Sequence, residues 1–131
     1  MVYANKEYNL VETDLRPGTT VRLEVEENQT WRDAYITCDA DGHGDHNPFW
    51  EIVRQTFARL RSAPMFALTA CVTECGKDPM DECLIRVGQG LTYIVGGDPN
   101  KKYSVYLFAN DVHGFYWNNG GGICVRVTTR K

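Results

Sequence analysis

Residues 103–129 read YSVYLFA–NDVHGFYWNNGGG–ICVRVTT. Tyr103–Ala109 and Ile123–Thr129 alternate apolar with polar or β-branched side chains, the period of a strand. Between them Asn110–Gly122 is polar and rich in glycine, so the pattern predicts a long loop pinned between two strands. The loop gathers three oxygen-bearing side chains, Asp111, Asn118 and Asn119. A hard cation such as calcium takes six to eight oxygens from carboxylates, amide carbonyls and backbone carbonyls. Gly114 and Gly120 are expected to let the backbone turn carbonyls inward, at φ values other residues avoid. A plain solvated hairpin loop is the alternative, because Gly/Asn-rich polar segments are ordinary turn chemistry.

The same alternation recurs through the chain. Val2–Leu10 and Val11–Leu15 read as two short strands or one bent one. Pro17-Gly18 is a turn, and Val21–Val25 alternates with Arg22 and Glu24, as a strand with one wet face does. Glu26–Asp33 reads as a polar connection containing Trp31, and Ala34–Cys38 as a short strand. Met65–Val72 is a buried-strand candidate. Cys83–Val87 and Leu91–Val95 flank Gly88-Gln89-Gly90 and are expected to form a hairpin. Gly96–Lys102 is a turn. One stretch departs from this pattern. In Phe49–Ser62 the residues Phe49, Ile52, Val53, Phe57 and Leu60 recur at spacings of three and four, which predicts an amphipathic helix between Pro48 and Pro64. Short strands separated by turns, with one short helix inserted near residues 49–62, predict an all-β, antiparallel β-sandwich in a single domain, 1–131.

Composition narrows the function classes. The net charge of −3 lacks the basic footprint of a nucleic-acid binder. No apolar run approaches the roughly 18 residues of a membrane span. The opening MVYANKEYN has no basic segment followed by an apolar one. The expectation is therefore a cytoplasmic protein, or one exported by a non-classical route. Five cysteines cannot all pair within one chain, so reduced, buried thiols are expected. Cys71, Cys75 and Cys83 are one ligand short of a structural zinc site and lack its spacing.

Asp39–Pro48, DADGHGDHNP, is a second polar loop. It lacks the glycine position and closing glutamate of an EF-hand. His43 and His46 with Asp39, Asp41, Asp45 or Cys38 form a candidate transition-metal set, which leaves a metal-dependent enzyme open as an alternative function. No HExxH spacing and no paired nucleophile and base accompany it.

The run Asn110-Asp111-Val112-x-Gly114-x-Tyr116-x-Asn118-Asn119-x-Gly121 resembles the signature loop of the PA-IL-like lectins, small calcium-dependent galactose-binding proteins. Weaker similarity extends to Val2–Asn5, to Pro17-Gly18 and to Gly44–Pro48. The resemblance implies two curved sheets packed face to face, resembling a jelly roll, with Tyr103–Ala109 and Ile123–Thr129 as neighbours. It implies calcium held by Asp111, Asn118, Asn119 and the backbone carbonyl of Phe115, with a further carbonyl from Trp31–Asp33. It implies sugar contacts from Asp111, Val112, Asn118 and His46. The implied partners are galactose-type glycans on glycoproteins or glycolipids, bound without catalysis, with assembly into a homo-oligomer. His113 and Trp117 depart from the family pattern. Trp117 is a candidate to stack on a sugar face, to block the site, or to cap the core. A β-sandwich interaction domain that binds no sugar is the remaining alternative.

Overall fold

The computed structural model describes residues 1–34, 36–43, 54–79, 81 and 83–131. The strands are β1 (Val2–Tyr3), β2 (Asn9–Leu15), β3 (Thr20–Val25), β4 (Trp31–Asp33), β5 (Ile36–Cys38), β6 (Asp41–His43), β7 (Met65–Glu74), β8 (Leu84–Arg86), β9 (Gly90–Ile94), β10 (Tyr103–Ala109), β11 (Asn119–Ile123) and β12 (Val125–Arg130). All of their pairings are antiparallel. Residues 54–57 form a single helical turn, and Tyr116–Asn118 a turn of 3-10 helix. The fold is the expected all-β antiparallel sandwich. Among the described residues no helix is long and apolar enough to cross a membrane.

The hydrogen bonding divides the strands into three sheets where two were expected. One runs β2-β10-β7-β6 with β8 beside β7, another β1-β11-β4-β5, and the third β12-β3-β9. One cluster of buried side chains draws on all three, including Leu15, Val21, Leu23, Trp31, Phe66, Leu107 and Ile123. β10 is central in its sheet. Val105, Leu107 and Ala109 are buried on one face, and Ser104 and Phe108 on the other. Aromatic and β-branched residues suit such a strand because both faces must be filled.

Three expectations about pairing and connection fail. Tyr103–Ala109 and Ile123–Thr129 are not neighbours: β10 lies between β2 and β7, while β12 pairs β3. Most of the second half of the glycine-rich loop is strand β11, taken up by β1 and β4, so the segment carries the chain from one sheet to another. The stretch 84–94 is not a hairpin either, since β8 pairs β7 and β9 pairs β3. The amides of Val87 and Gly88 both donate to the Leu68 carbonyl, at 2.8 and 3.1 Å, which keeps that end on β7. Trp31–Asp33 is strand β4, not a connection. Trp31 is 1% exposed and meets Phe66 edge-on at 5.7 Å. Burial of one indole outweighs the polar local sequence.

The predicted helix over 49–62 survives among the described residues only at 54–57; residues 49–53 lie outside them. It stops there because the next residues bond elsewhere. The Leu60 amide donates to Asn110 Oδ1 at 2.9 Å, and the Arg59 amide to the Asp111 carbonyl at 3.2 Å. None of the five cysteines is in a disulfide, but only Cys71 is buried and Cys83 is exposed, so the expectation of buried thiols holds for one.

Candidate functional site

The loop after β10 is fixed first at Asn110, which is fully buried. Its backbone NH donates to Ala67, and its carbonyl accepts from the Phe66 amide, at 3.0 and 2.7 Å. Its side-chain oxygen accepts from Leu60 NH, and its amide nitrogen donates to the carbonyls of Leu60, Ala63 and Pro64 at 2.8, 3.2 and 3.0 Å. A buried amide satisfied on both ends ties residues 60–67 to the start of the loop. The sequence offered no sign of this beyond the asparagine itself.

Asp111 follows, 4% exposed. Its Oδ1 accepts from the Val112 amide at 2.7 Å and its Oδ2 from Asn119 Nδ2 at 3.0 Å. Burial pushes its carboxyl up to about 6. The hydrogen bonds from Asn119 and Val112 work against that rise, and the nearby charge of Asp33 adds to it. An upward-shifted carboxylate is one whose negative charge lacks sufficient compensation. Asn119 also donates to the Ala4 carbonyl at 2.9 Å, which leaves its Oδ1 buried without a hydrogen-bond partner. Asn118 Oδ1 is buried and unpartnered too. Buried polar atoms are nearly always hydrogen-bonded, so the two orphan acceptors of Asn118 and Asn119 and the desolvated carboxylate in the same loop are oxygens short of a positive partner.

The 3-10 turn sets the rest. Tyr116 is buried, donating its hydroxyl to the Ala109 carbonyl at 2.6 Å and accepting from Arg59 Nη1 at 2.9 Å. Anchoring Tyr116 inward turns its neighbours outward: Phe115 is 55% and Trp117 78% exposed. Trp117 therefore does not cap the core. The Phe115 amide closes a turn on the Val112 carbonyl at 3.1 Å, and Gly114 takes φ +87°. Gly120 does not share that role. It lies in β11, and Gly121 carries the positive φ of +78° instead.

Arg59 braces this turn from behind. Its guanidinium is fully buried, lies 3.4 Å from the Phe108 ring centroid and 4.4 Å from that of Tyr8, and donates to the Glu7 carbonyl at 2.6 Å. Asp81 pairs with it. Burial raises the Asp81 carboxyl, but hydrogen bonds from Arg59 and Tyr8 outweigh that and hold it at about 2. His113 reaches Asp81 Oδ2 at 2.6 Å and Glu7 Oε1 at 3.5 Å, and Gly114 NH donates to Glu7 at 3.0 Å. His113 thus belongs to the brace behind the loop.

The second loop is divided by the fold. Asp39 accepts from the Asp41 amide at 2.9 Å, a local turn, and Asp41 lies 3.9 Å from Arg86. His43 sits instead on β6 and pairs with Asp33 Oδ2 at 3.0 Å. Gly42 permits this close approach to β7. Its φ is +82°, and a Cβ there would run into the Met65 carbonyl and Ala67 amide. Asp45 and His46, the latter the candidate sugar ligand, lie outside the described residues. Among the described residues no three histidine, cysteine, aspartate or glutamate side chains converge to hold a metal. The cysteine trio and the His43 set therefore gather no such group there, and a cation at Asp111 would rely on amide oxygens. The pairing of Asp33 with His43, across the strands from Asn119, is the part of the site that sequence reasoning missed. These residues are far apart in the chain, and the β4–β11 register is what sets Asp33 opposite Asn119. Compared with known protein families and with curated proteins, the sequence matches none.

Proposed function

We propose that the chain is a calcium-dependent lectin, binding galactose or a terminal galactoside without catalysis. The observation that carries the reading is that one loop holds both the desolvated Asp111 carboxylate and the unpartnered, buried oxygens of Asn118 and Asn119. Those three side chains and the Phe115 carbonyl would hold the ion. When bound, calcium takes sugar hydroxyls as direct ligands and replaces hydration that a shallow protein surface restores poorly. Around it, Asp111 offers a charged acceptor to a hydroxyl, and Asn118 an amide. Half-buried Val112 offers an apolar edge, and Trp117 a free ring face for stacking on the sugar or its aglycone. The likeness of the Asn110–Gly121 run to the PA-IL-like signature supports the same sugar class, and with it assembly into a homo-oligomer that would gain avidity from linked sites.

The experiment is retention on galactose resin with calcium and elution by chelator, alongside melting with and without calcium. An ion at one hundred times its Kd stabilises the folded state by about 2.7 kcal/mol. Asp111→Asn keeps the shape, removes the charge, and is expected to abolish both responses while far-UV circular dichroism stays unchanged. Identical melting in calcium and chelator, with no retention on any glycan of an array, would sink the reading.

A further inference from the structure

We propose that Asp33 is a second carboxylate of the cation site, held there by His43; the inference rests on the calcium-binding reading above. β4 and β11 run antiparallel with Asp33 directly opposite Asn119. Directly opposed residues in such a pair present their side chains on one side of the sheet, with Cβ atoms about 4.5–5.5 Å apart. Arg32, the next residue along, lies on the other side, its guanidinium over Gly120. The basic neighbour in sequence is thus directed away from the site.

Asn119 joins the two carboxylates. It is 7% exposed, its amide nitrogen is hydrogen-bonded to Asp111 Oδ2, and Asp33 stands across the strand pair from it. Its own Oδ1 is buried with no donor to meet it. Two carboxylates and an orphan amide oxygen in a largely desolvated setting call for positive charge, and oxygen donors of this kind suit a divalent hard cation.

His43 fixes Asp33 without using it up. Its Nε2 engages Asp33 Oδ2 alone, at 3.0 Å. The imidazole lies tilted against the Phe66 ring at 6.2 Å, and Phe66 is itself wedged against Trp31. Asp33 is thereby held by a core-anchored partner, as outer residues hold the ligands of metal sites.

The test is calorimetric titration of calcium chloride into the full chain, with no sugar present. Asp33→Asn keeps the shape and loses the charge; Asp33→Glu keeps the charge and changes the shape. The expected order is wild type tightest, Asp33→Glu between, and Asp33→Asn weaker than wild type by about tenfold or more, the scale of one lost charged ligand. Circular dichroism checks that each variant is folded, and Asp33→Ser replaces Asp33→Asn if that variant does not fold, with the same loss expected. If Asp33→Asn binds calcium like the wild type while Asp111→Asn does not, Asp33 is outside the site and the lectin reading stands. If Asp33→Asn binds more tightly than Asp33→Glu, shape and not charge matters at this position, and the inference fails. Absence of calcium binding by the wild type overturns the inference and the reading together.

Discussion

Arg59 grips Asp81 with both edges of its fork: Nε lies 2.9 Å from Oδ2 and Nη2 2.7 Å from Oδ1. The guanidinium is fully buried on a bed of Phe108 and Tyr8 rings, so the pair ties the segment after the helical turn to the loop around residue 81. Asp81 itself is exposed and keeps Tyr8 and His113, so the loss from Arg59→Ala lies in the Arg59 hydrogen bonds and its packing against the rings. Arg59→Ala is expected to destabilise by more than the roughly 1 kcal/mol of an exposed ion pair. Arg59→Lys should recover little, because an ammonium cannot reproduce the planar fork or the stacking. Urea unfolding checks both. A loss under about 1 kcal/mol for Arg59→Ala, the level of an exposed ion pair, would show that the pair is peripheral.

The same pair sets a pH dependence. Asp81 titrates near 3.8 in the unfolded chain and at about 2 in the folded one. Between those values the unfolded state binds more protons, so stability rises with pH. The contribution of Asp81 is fully present above about pH 4 and is lost as pH falls from there towards 2. Asp81→Asn should be less stable than wild type at neutral pH, and the difference should shrink across that acid window. A constant difference from pH 7 to pH 2 would mean that the carboxylate charge does not carry the effect.

Asn110→Ala should be among the most damaging single changes in the loop. It removes four side-chain hydrogen bonds and strands the Leu60 amide and the Ala63 carbonyl, while the Leu60 and Pro64 carbonyls keep backbone bonds from Ala63 and Ala67. Each stranded buried group costs about 1–3 kcal/mol where water cannot enter. Asn110→Asp is the sharper probe, since it keeps the acceptor for Leu60 and presents a carboxylate to three carbonyls. Thermal melting of both in chelator is the measurement. Near-wild-type melting would show that the loop is not held through this residue.

Trp117→Ala should leave stability within about 0.5 kcal/mol, as surface substitutions do, because its side chain lies in solvent beside Asn118. If the ring stacks on the ligand, affinity for galactosides should fall by about 0.5–1.5 kcal/mol, the scale of an aromatic contact. Titration of a galactoside carrying an aromatic aglycone against calcium-loaded wild type and variant reads this directly. Equal affinity would leave Trp117 without a part in sugar binding.

The alternation in Val21–Val25 and Tyr103–Ala109, with the apolar run Met65–Val72, was enough to name strands and the sandwich class, because side chains of a strand alternate faces whatever it pairs with. The oxygen donors Asp111, Asn118 and Asn119 were legible for a similar reason: they lie within one short loop, and their chemistry does not depend on distant residues. Pairing was not legible. A period of two says that β10 and β12 are strands but not that β10 sits beside β7, that β12 sits beside β3, or that part of the glycine-rich loop becomes β11. Those choices depend on contacts between residues far apart in sequence. The same limit hid Trp31 in a polar connection, Arg59 in a predicted amphipathic helix, and His43 in an aspartate-rich loop. Each is a polar or amphipathic side chain whose burial is favourable only once particular partners surround it: Phe66 for Trp31, Asp81 and Tyr116 for Arg59, Asp33 for His43. Local sequence sets which residues can make such contacts, and the tertiary fold alone decides which of them meet.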